Sequence, residues 1–294
     1  MTKQLWISNS YAKINLGLNV LERLENGYHT IETGFCFIEW ADRFEITPAS
    51  RNSLTMSNPD IPVDDTNLIV KAVNLLEKEA GLKDKFHIHV RKNIPAGAGL
   101  GGGSSNAATT LRMINKIANL GLSQEFLIEL GKQLGADVPF FIKGVPGFAT
   151  GTGTDIEELD IQPDAHIITV FPGMPSSTPE AYYNVIPNAE PEFSLKSVLL
   201  EEEIDEWQYL IQNDLELAVF PRLELVGNIK DQCYDFGATY ASMSGSGSSV
   251  FGLFQQDFVA IHAYESFHNL GFLANLTRPK FKPDLGIYIK ESNN

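Results

Sequence analysis

Along Ser10–Val20, read SYAKINLGLNV, side chains alternate: Ala12, Ile14, Leu16, Leu18 and Val20 share one face, and Tyr11, Lys13, Asn15 and Asn19 share the other. A period of two predicts a strand with one apolar face and one chemically equipped face. ENGYH, residues 25–29, carries an Asn-Gly turn signal, after which Thr30–Trp40 and Asp42–Thr47 read as two more strands of an antiparallel N-terminal sheet. Beyond a Pro- and Asp-rich loop, Leu68, Ile69, Ala72, Val73, Leu75 and Leu76 form a helical stripe over residues 67–80, stopped by Gly81.

Phe86–Val90 alternates again as a strand and leads through Arg91, Lys92 and Asn93 into IPAGAGLGGGSSNAA, residues 94–108, after which Asn106–Ala118 reads as helix. Ser123 is positioned to cap a further helix over residues 123–134, and GADVP, residues 135–139, follows it. Past Gly153 the composition turns acidic, and His166–Phe171 then reads as a buried strand. This predicts two units, 1–155 and 156–294. In the second unit, Asp214–Ile229 is helical with an interruption at Pro221, and Ala238–Phe254 reads as two strands around a Gly-Ser turn. Strands and helices mixed in this way predict an α+β class.

A chain of 294 residues fits about two domains of roughly 150 residues each. Its 37 acidic and 22 basic residues give a formal charge of −15, which repels nucleic acid and anionic membrane surfaces, so neither is expected as a partner. Cys36 and Cys233 form no CxxC pair, and no Cys/His spacing suits a metal. The opening MTKQLWISNSYAK lacks the apolar core of a leader, and no stretch approaches the about 20 apolar residues of a membrane span, so the expectation is a cytoplasmic protein.

Five glycines between Gly97 and Gly103 let the backbone approach a ligand closely and turn successive N–H groups toward phosphate oxygens. Ser104, Ser105 and Asn106 then open a helix whose N-terminus carries about +0.5 of a charge, so an acidic protein can still hold a polyanion locally. Gly97, Gly99 and Gly102 also satisfy GxGxxG, but the acidic residue about 20 positions on is missing, and no Gly-Lys-Ser/Thr completes a Walker A loop. Taken alone, Lys13 reads as a solvated strand residue and the His87/His89 pair as structural, while Asp137 reads equally as a cap ahead of Pro139.

Three separated segments together resemble the GHMP kinase superfamily: SYAKINLGL near the start, IPAGAGLGGGSSNAA in the middle, and SMSGSGSSVFGLF at residues 242–254. NGYHTIET, LGADVPFFIKG and the NDLE of residues 213–216 are similar to the branch that phosphorylates the 2-hydroxyl of a cytidyl-linked methylerythritol in non-mevalonate isoprenoid precursor synthesis. The resemblance implies a two-domain GHMP kinase fold. Its N-terminal unit is ribosomal protein S5 domain 2-like, its C-terminal unit is a ferredoxin-like sandwich, and the active site lies in the cleft between them.

It also implies ATP, Mg2+ and a small cytidine-diphosphate-linked substrate, handled by a monomer or weak homodimer. Asp137 would be the base and Lys13 its neighbour, holding it ionised. Nucleotide contacts would come from Asn67, Leu68, Lys92, Pro95, Ala96, Gly97, Ala98, Gly99, Leu100, Gly101, Gly102, Gly103, Ser104 and Ser105. Asn15, Tyr28, His29, Phe35 and Tyr182 would meet the acceptor. Metal ligands are unassigned, with Ser104, Ser105 and Asp137 as candidates. The competing expectations are a kinase of the same superfamily for homoserine, mevalonate or a sugar, a non-catalytic sensor on that fold, and a Rossmann oxidoreductase.

Overall fold

A computed structural model describes residues 3–292; Met1 and Thr2, which begin the segment read as lacking the apolar core of a leader, lie outside it, as do Asn293 and Asn294. The first half runs β1 (Lys3–Arg23), β2 (His29–Pro48), β3 (Ser53–Met56), α1 (Leu68–Ala80), β4 (Phe86–Arg91), α2 (Gly102–Ile117), α3 (Gln124–Leu134), α4 (Val138–Lys143), β5 (Gly147–Thr150) and β6 (Asp155–Glu158). The second half runs β7 (His166–Phe171), α5 (Thr178–Asn184), α6 (Leu195–Glu201), α7 (Trp207–Leu210), α8 (Glu216–Val219), α9 (Glu224–Asp235), β8 (Tyr240–Met243), β9 (Val250–Phe254), α10 (Asp257–Asn269), β10 (Leu273–Thr277) and β11 (Tyr288–Ser292). None of the described helices is long and apolar enough to cross a membrane.

The first sheet has the order β11-β1-β2-β4-β3, with β5 and β6 continuing from one end of β2. The second has the order β10-β7-β9-β8 and is antiparallel throughout. The expected α+β class is therefore observed. The expected cut at 155/156 passes through β6, a strand of the first sheet, and β11 returns residues 288–292 to pair with β1.

The alternation in β1 is real, but both of its faces are covered. Ala12, Ile14 and Leu16 pack with Ile167, Phe251 and Leu253 of the second sheet, while Tyr11, Phe35 and Phe37 pack under α1, α2 and α4. Lys13 and Asn15 are accordingly 4% and 3% exposed, which removes the solvated-strand reading of Lys13. The two strands expected at 30–40 and 42–47 are one, β2. The register slips between Tyr11/Ala12 and Ala41/Ile38, so a bulge absorbs the irregular pattern without ending the strand.

Helix limits follow local chemistry. The Asn67 side chain accepts from the Ile69 N–H and Gly81 closes α1 at φ +67°, while Ser123 accepts from the Phe126 N–H at the start of α3. Helix α2 begins four residues before the expected Asn106, because Gly101, at φ +67°, already turns the chain into it. Pro221 divides the expected 214–229 helix into α8 and α9.

Candidate active-site cleft

A cleft of about 1100 Å³ opens between the glycine loop, the polar face of β1, the β1–β2 turn, the start of α4, α5 and the Gly245–Ser246 turn. The loop is held by backbone on several sides. The Lys13 N–H donates to the Leu100 carbonyl (3.1 Å), the Ser176 N–H to the Gly97 carbonyl (3.2 Å) and the Ser249 N–H to the Ala98 carbonyl (3.1 Å). Ser244 Oγ donates to the Gly99 carbonyl at 3.0 Å. Gly97, Gly99 and Gly101 take φ of +65°, +76° and +67°, so every second residue reverses and the chain passes into α2. Gly102, Gly103 and Ser104 line the cleft from the first turn of α2, where helix geometry leaves N–H groups unpaired for an anion.

Opposite this turn, Lys13 Nζ lies 3.6 Å from Asp137 Oδ2, donates to Asn15 Oδ1 at 2.5 Å and stands 4.9 Å from the Phe35 ring centroid. Asp137 precedes α4 but makes no capping bond, so its carboxylate, 30% exposed, is available to the cleft. Burial lowers the Lys13 pKa below the ordinary lysine value, and the Asp137 charge opposes that shift. Folded protein therefore releases this proton at lower pH than unfolded chain. Stability from this group rises with pH across that window, whereas any step needing the ammonium fails there. The alkaline limb of kcat is expected below pH 10.5, and a pH–rate profile of wild type against Lys13→Met checks it: the limb should vanish with the amine.

At the acceptor end, His29 is 6% exposed and its Nε2 is buried with no partner in the protein. Burial and then the Arg23 cation hold its pKa below the ordinary histidine value, so the ring is neutral at pH 7. Its ring lies 5.3 Å from that of Tyr182, and both line the cleft with the 66%-exposed Tyr28. Tyr183 also lines it and sits beneath Arg23 at 5.7 Å. Phe35 differs from the expectation. It lines the cleft but is only 2% exposed, packed on Phe140 at 5.1 Å and placed as the floor under Lys13, so it offers a base little of its ring face.

At the other end, Asn67 and Leu68 line the cleft beside Met56, Ile61 and Pro62. The Asn67 amide is committed to the α1 cap and to the Pro62 carbonyl (2.6 Å), so this side chain shapes the wall. The Lys92 side chain is only 8% exposed, and its ammonium pairs with the fully buried Asp42 and with Asn106 Oδ1 (3.1 Å). Of the nucleotide contacts expected over residues 95–105, Ser105 alone does not line the cleft. Its hydroxyl donates to the Tyr11 carbonyl (2.6 Å) and lies 2.7 Å from Ser10 Oγ, which also removes it as a metal candidate.

The tight Gly-Ser turn of the third motif packs against the phosphate loop, as its sequence suggested, whereas sequence reasoning missed Asp42 and the contacts that Asn213 makes. Asn213 Nδ2 donates to the carbonyls of Met243 and Gly245, both at 2.8 Å, and the Asp214 carboxylate accepts from the Val20 N–H (2.7 Å). Glu216 Oε1 accepts from the Met243 N–H at 2.8 Å. The NDLE segment thus ties the strand carrying Lys13 to the turn that carries the glycine loop. Its clustered polar residues, Asn213, Asp214 and Glu216, were the only sequence signal for this.

Residues 67–145 match the profile of the GHMP kinases N terminal domain, and residues 195–271 match that of the GHMP kinases C terminal domain. A 4-diphosphocytidyl-2-C-methyl-D-erythritol kinase of Parabacteroides distasonis is 45% identical over 249 residues, covering 83% of this chain and 90% of the relative. A crystal structure of 4-(cytidine 5'-diphospho)-2C-methyl-D-erythritol kinase superposes with TM-score 0.79 at 31% identity, covering 92% of this chain and 98% of that one. Homoserine kinase from Cytophaga hutchinsonii, at 15% identity and TM-score 0.69 over 98% of this chain and 97% of that one, shares the fold.

Proposed function

Since the chain belongs to the 4-diphosphocytidyl-2-C-methyl-D-erythritol kinases of the GHMP kinase family, we propose that its cleft carries the γ-phosphoryl group of ATP to the 2-hydroxyl of 4-diphosphocytidyl-2-C-methyl-D-erythritol. It is a small-molecule kinase, and its place is in non-mevalonate isoprenoid precursor synthesis. The observation that carries the residue assignment is the juxtaposition of the buried Lys13 and the half-buried Asp137 with the glycine loop across one cleft.

In this reading the phosphates lie along Gly97–Ser104, with the N–H groups of the first turn of α2 facing the transferring group. Asp137 orients the acceptor hydroxyl and takes its proton as the new O–P bond forms and the bond to ADP breaks. Lys13 holds that carboxylate in place across the 3.6 Å contact and offsets charge growing on the phosphoryl oxygens. Asn15 fixes the lysine. Neutral His29, with its free Nε2, and the rings of Tyr28 and Tyr182 hold the cytosine.

Among the described residues there is no group of three or more His, Cys, Asp or Glu side chains placed to hold a metal. Ser104 and Asp137 offer two oxygens at the cleft, a set that suits Mg2+, which keeps waters and phosphate oxygens in its own shell. When bound, Mg2+ would neutralise charge on the phosphates. The two units serve this reading with their boundary moved past β6: the first supplies the loop, Lys13 and Asp137, and the second supplies the 242–249 turn. A cytoplasmic monomer or weak homodimer completes the proposal, in keeping with the net charge of −15.

The test offers protein and Mg-ATP the cytidyl substrate, homoserine, mevalonate and galactose in parallel. Phosphorylation of the first alone is expected, and turnover of another in its place corrects the acceptor. His29→Ala is expected to raise KM for the cytidyl substrate by about 10- to 100-fold with kcat within a few-fold, since it removes ground-state and transition-state binding alike. Steady-state kinetics at saturating ATP check it.

A further inference from the structure

Asp42 stands on β2 outside the cleft, fully buried, and accepts four hydrogen bonds. Its Oδ1 takes the N–H groups of Asn93 (2.8 Å) and Ile94 (2.9 Å), the two residues that lead into the glycine loop. Its Oδ2 takes Asn106 Nδ2 (2.8 Å) from within α2, and the ammonium of Lys92. Lys92 in turn donates to Asn106 Oδ1 at 3.1 Å and lines the cleft; its Nζ lies 3.6 Å from where a Cβ on Gly102 would stand. The ammonium is thus fixed at the N-terminus of α2, where a bound phosphate would meet both it and the helix end.

A buried carboxylate this close to an anion site opposes the anion by Coulomb repulsion, so its presence needs a compensating role. We propose that Asp42 is a positioning residue for the nucleotide phosphates: it fixes the Lys92 ammonium beside the first turn of α2 and sets the path of the chain into the loop. This rests on the ATP reading of the cleft. One side chain then joins the strand before the loop and the helix after it, so both ends of the phosphate cradle are referred to the same carboxylate. The neighbouring hydroxyl of Ser10, which accepts from Asn106 Nδ2 at 3.0 Å, completes the site without adding charge.

The test is equilibrium binding of ATP, ADP and adenosine to full-length wild type, Asp42→Asn, Lys92→Met and the double variant, with thermal melting alongside. Asn keeps an oxygen for the two backbone N–H groups and removes the anion. In Asp42→Asn, ATP and ADP affinity should fall about 10- to 100-fold, as expected for a phosphate group displaced by about 1 Å, with adenosine within about twofold of wild type. The double variant should bind ATP within about threefold of Lys92→Met, because Asp42 acts through Lys92. ATP binding by Asp42→Asn as tight as wild type, an equal loss of adenosine, or losses that multiply in the double variant would overturn the proposal. Should Asp42→Asn not fold, Lys92→Met carries the test: loss of ATP and ADP with adenosine retained is expected, and equal loss of all three overturns it. A wild-type protein that bound none of the nucleotides would overturn the kinase reading itself.

Discussion

Replacing Asp137 by Asn is expected to lower kcat by about 10²- to 10⁴-fold while leaving the affinity for ATP within a few-fold, the range for losing a positioned general base. Asn keeps the size of the side chain and its contact with Lys13 Nζ, 3.6 Å away in the wild type, but accepts no proton and carries no charge. Lys13→Met should fall in the same range, because it removes the cation and leaves Asn15 Oδ1 and the Phe35 face without their partner. The two groups act as a unit, so the double variant should be little worse than either single one. Initial rates with saturating substrates, alongside ATP titrations, separate chemistry from binding. Wild-type turnover in either single variant would remove the pair from the mechanism.

Gly99→Ala is expected to reduce kcat/KM by about 10²-fold or more and to lower the melting temperature, for reasons that lie wholly in the backbone. Gly99 sits at φ +76°, and a Cβ there would stand 2.2 Å from the Ser244 carbonyl oxygen and 2.9 Å from that of Gly247. Both obstacles are main chain, so no rotamer relieves them. Either the loop or the 244–249 turn must move, and the turn is tied to Asn213, whose neighbours Gln212 and Asp214 bond to Leu18 of the strand carrying Lys13. The left-handed conformation adds about 1–2 kcal/mol of strain for any residue with a Cβ. Gly103→Ala is the control: it lies within α2, and its added Cβ would meet only Leu68 Cδ1, at 3.7 Å. It should retain the wild-type melting temperature. A Gly99→Ala protein as stable and active as wild type would show that the loop is not locked against the third motif.

Much of this architecture was legible because its signals are local. The period of two in β1, the Asn67 and Gly81 limits of α1, the Ser123 cap of α3 and the glycine loop each depend on neighbours within a few residues. What escaped depends on distance along the chain. Asp42 looks like one more charge in WADRFEI, and only the folding of Lys92, Asn93, Ile94 and Asn106 around it, 50 to 64 residues on, makes it a hub. Ser105 looked like its neighbour Ser104, yet one step of about 100° round the helix turns its hydroxyl away from the cleft to Tyr11. Phe35 lies in the continuous apolar run of residues 35–38, where nothing distinguishes the two faces of β2, and which element covers its face, here α4, is not written in the strand. The return of β11 to β1 likewise joins chain ends more than 280 residues apart.

The central claim is that one cleft brings the γ-phosphoryl group of ATP to a single hydroxyl of a cytidyl-linked polyol. Phosphorus NMR of the reaction of wild type with Mg-ATP and 4-diphosphocytidyl-2-C-methyl-D-erythritol tests it directly. The account predicts ADP together with one new phosphomonoester signal that places the group on the 2-hydroxyl, and no such signal with Asp137→Asn over the same interval. A phosphomonoester at another position, or ADP formed with inorganic phosphate alone, would contradict it.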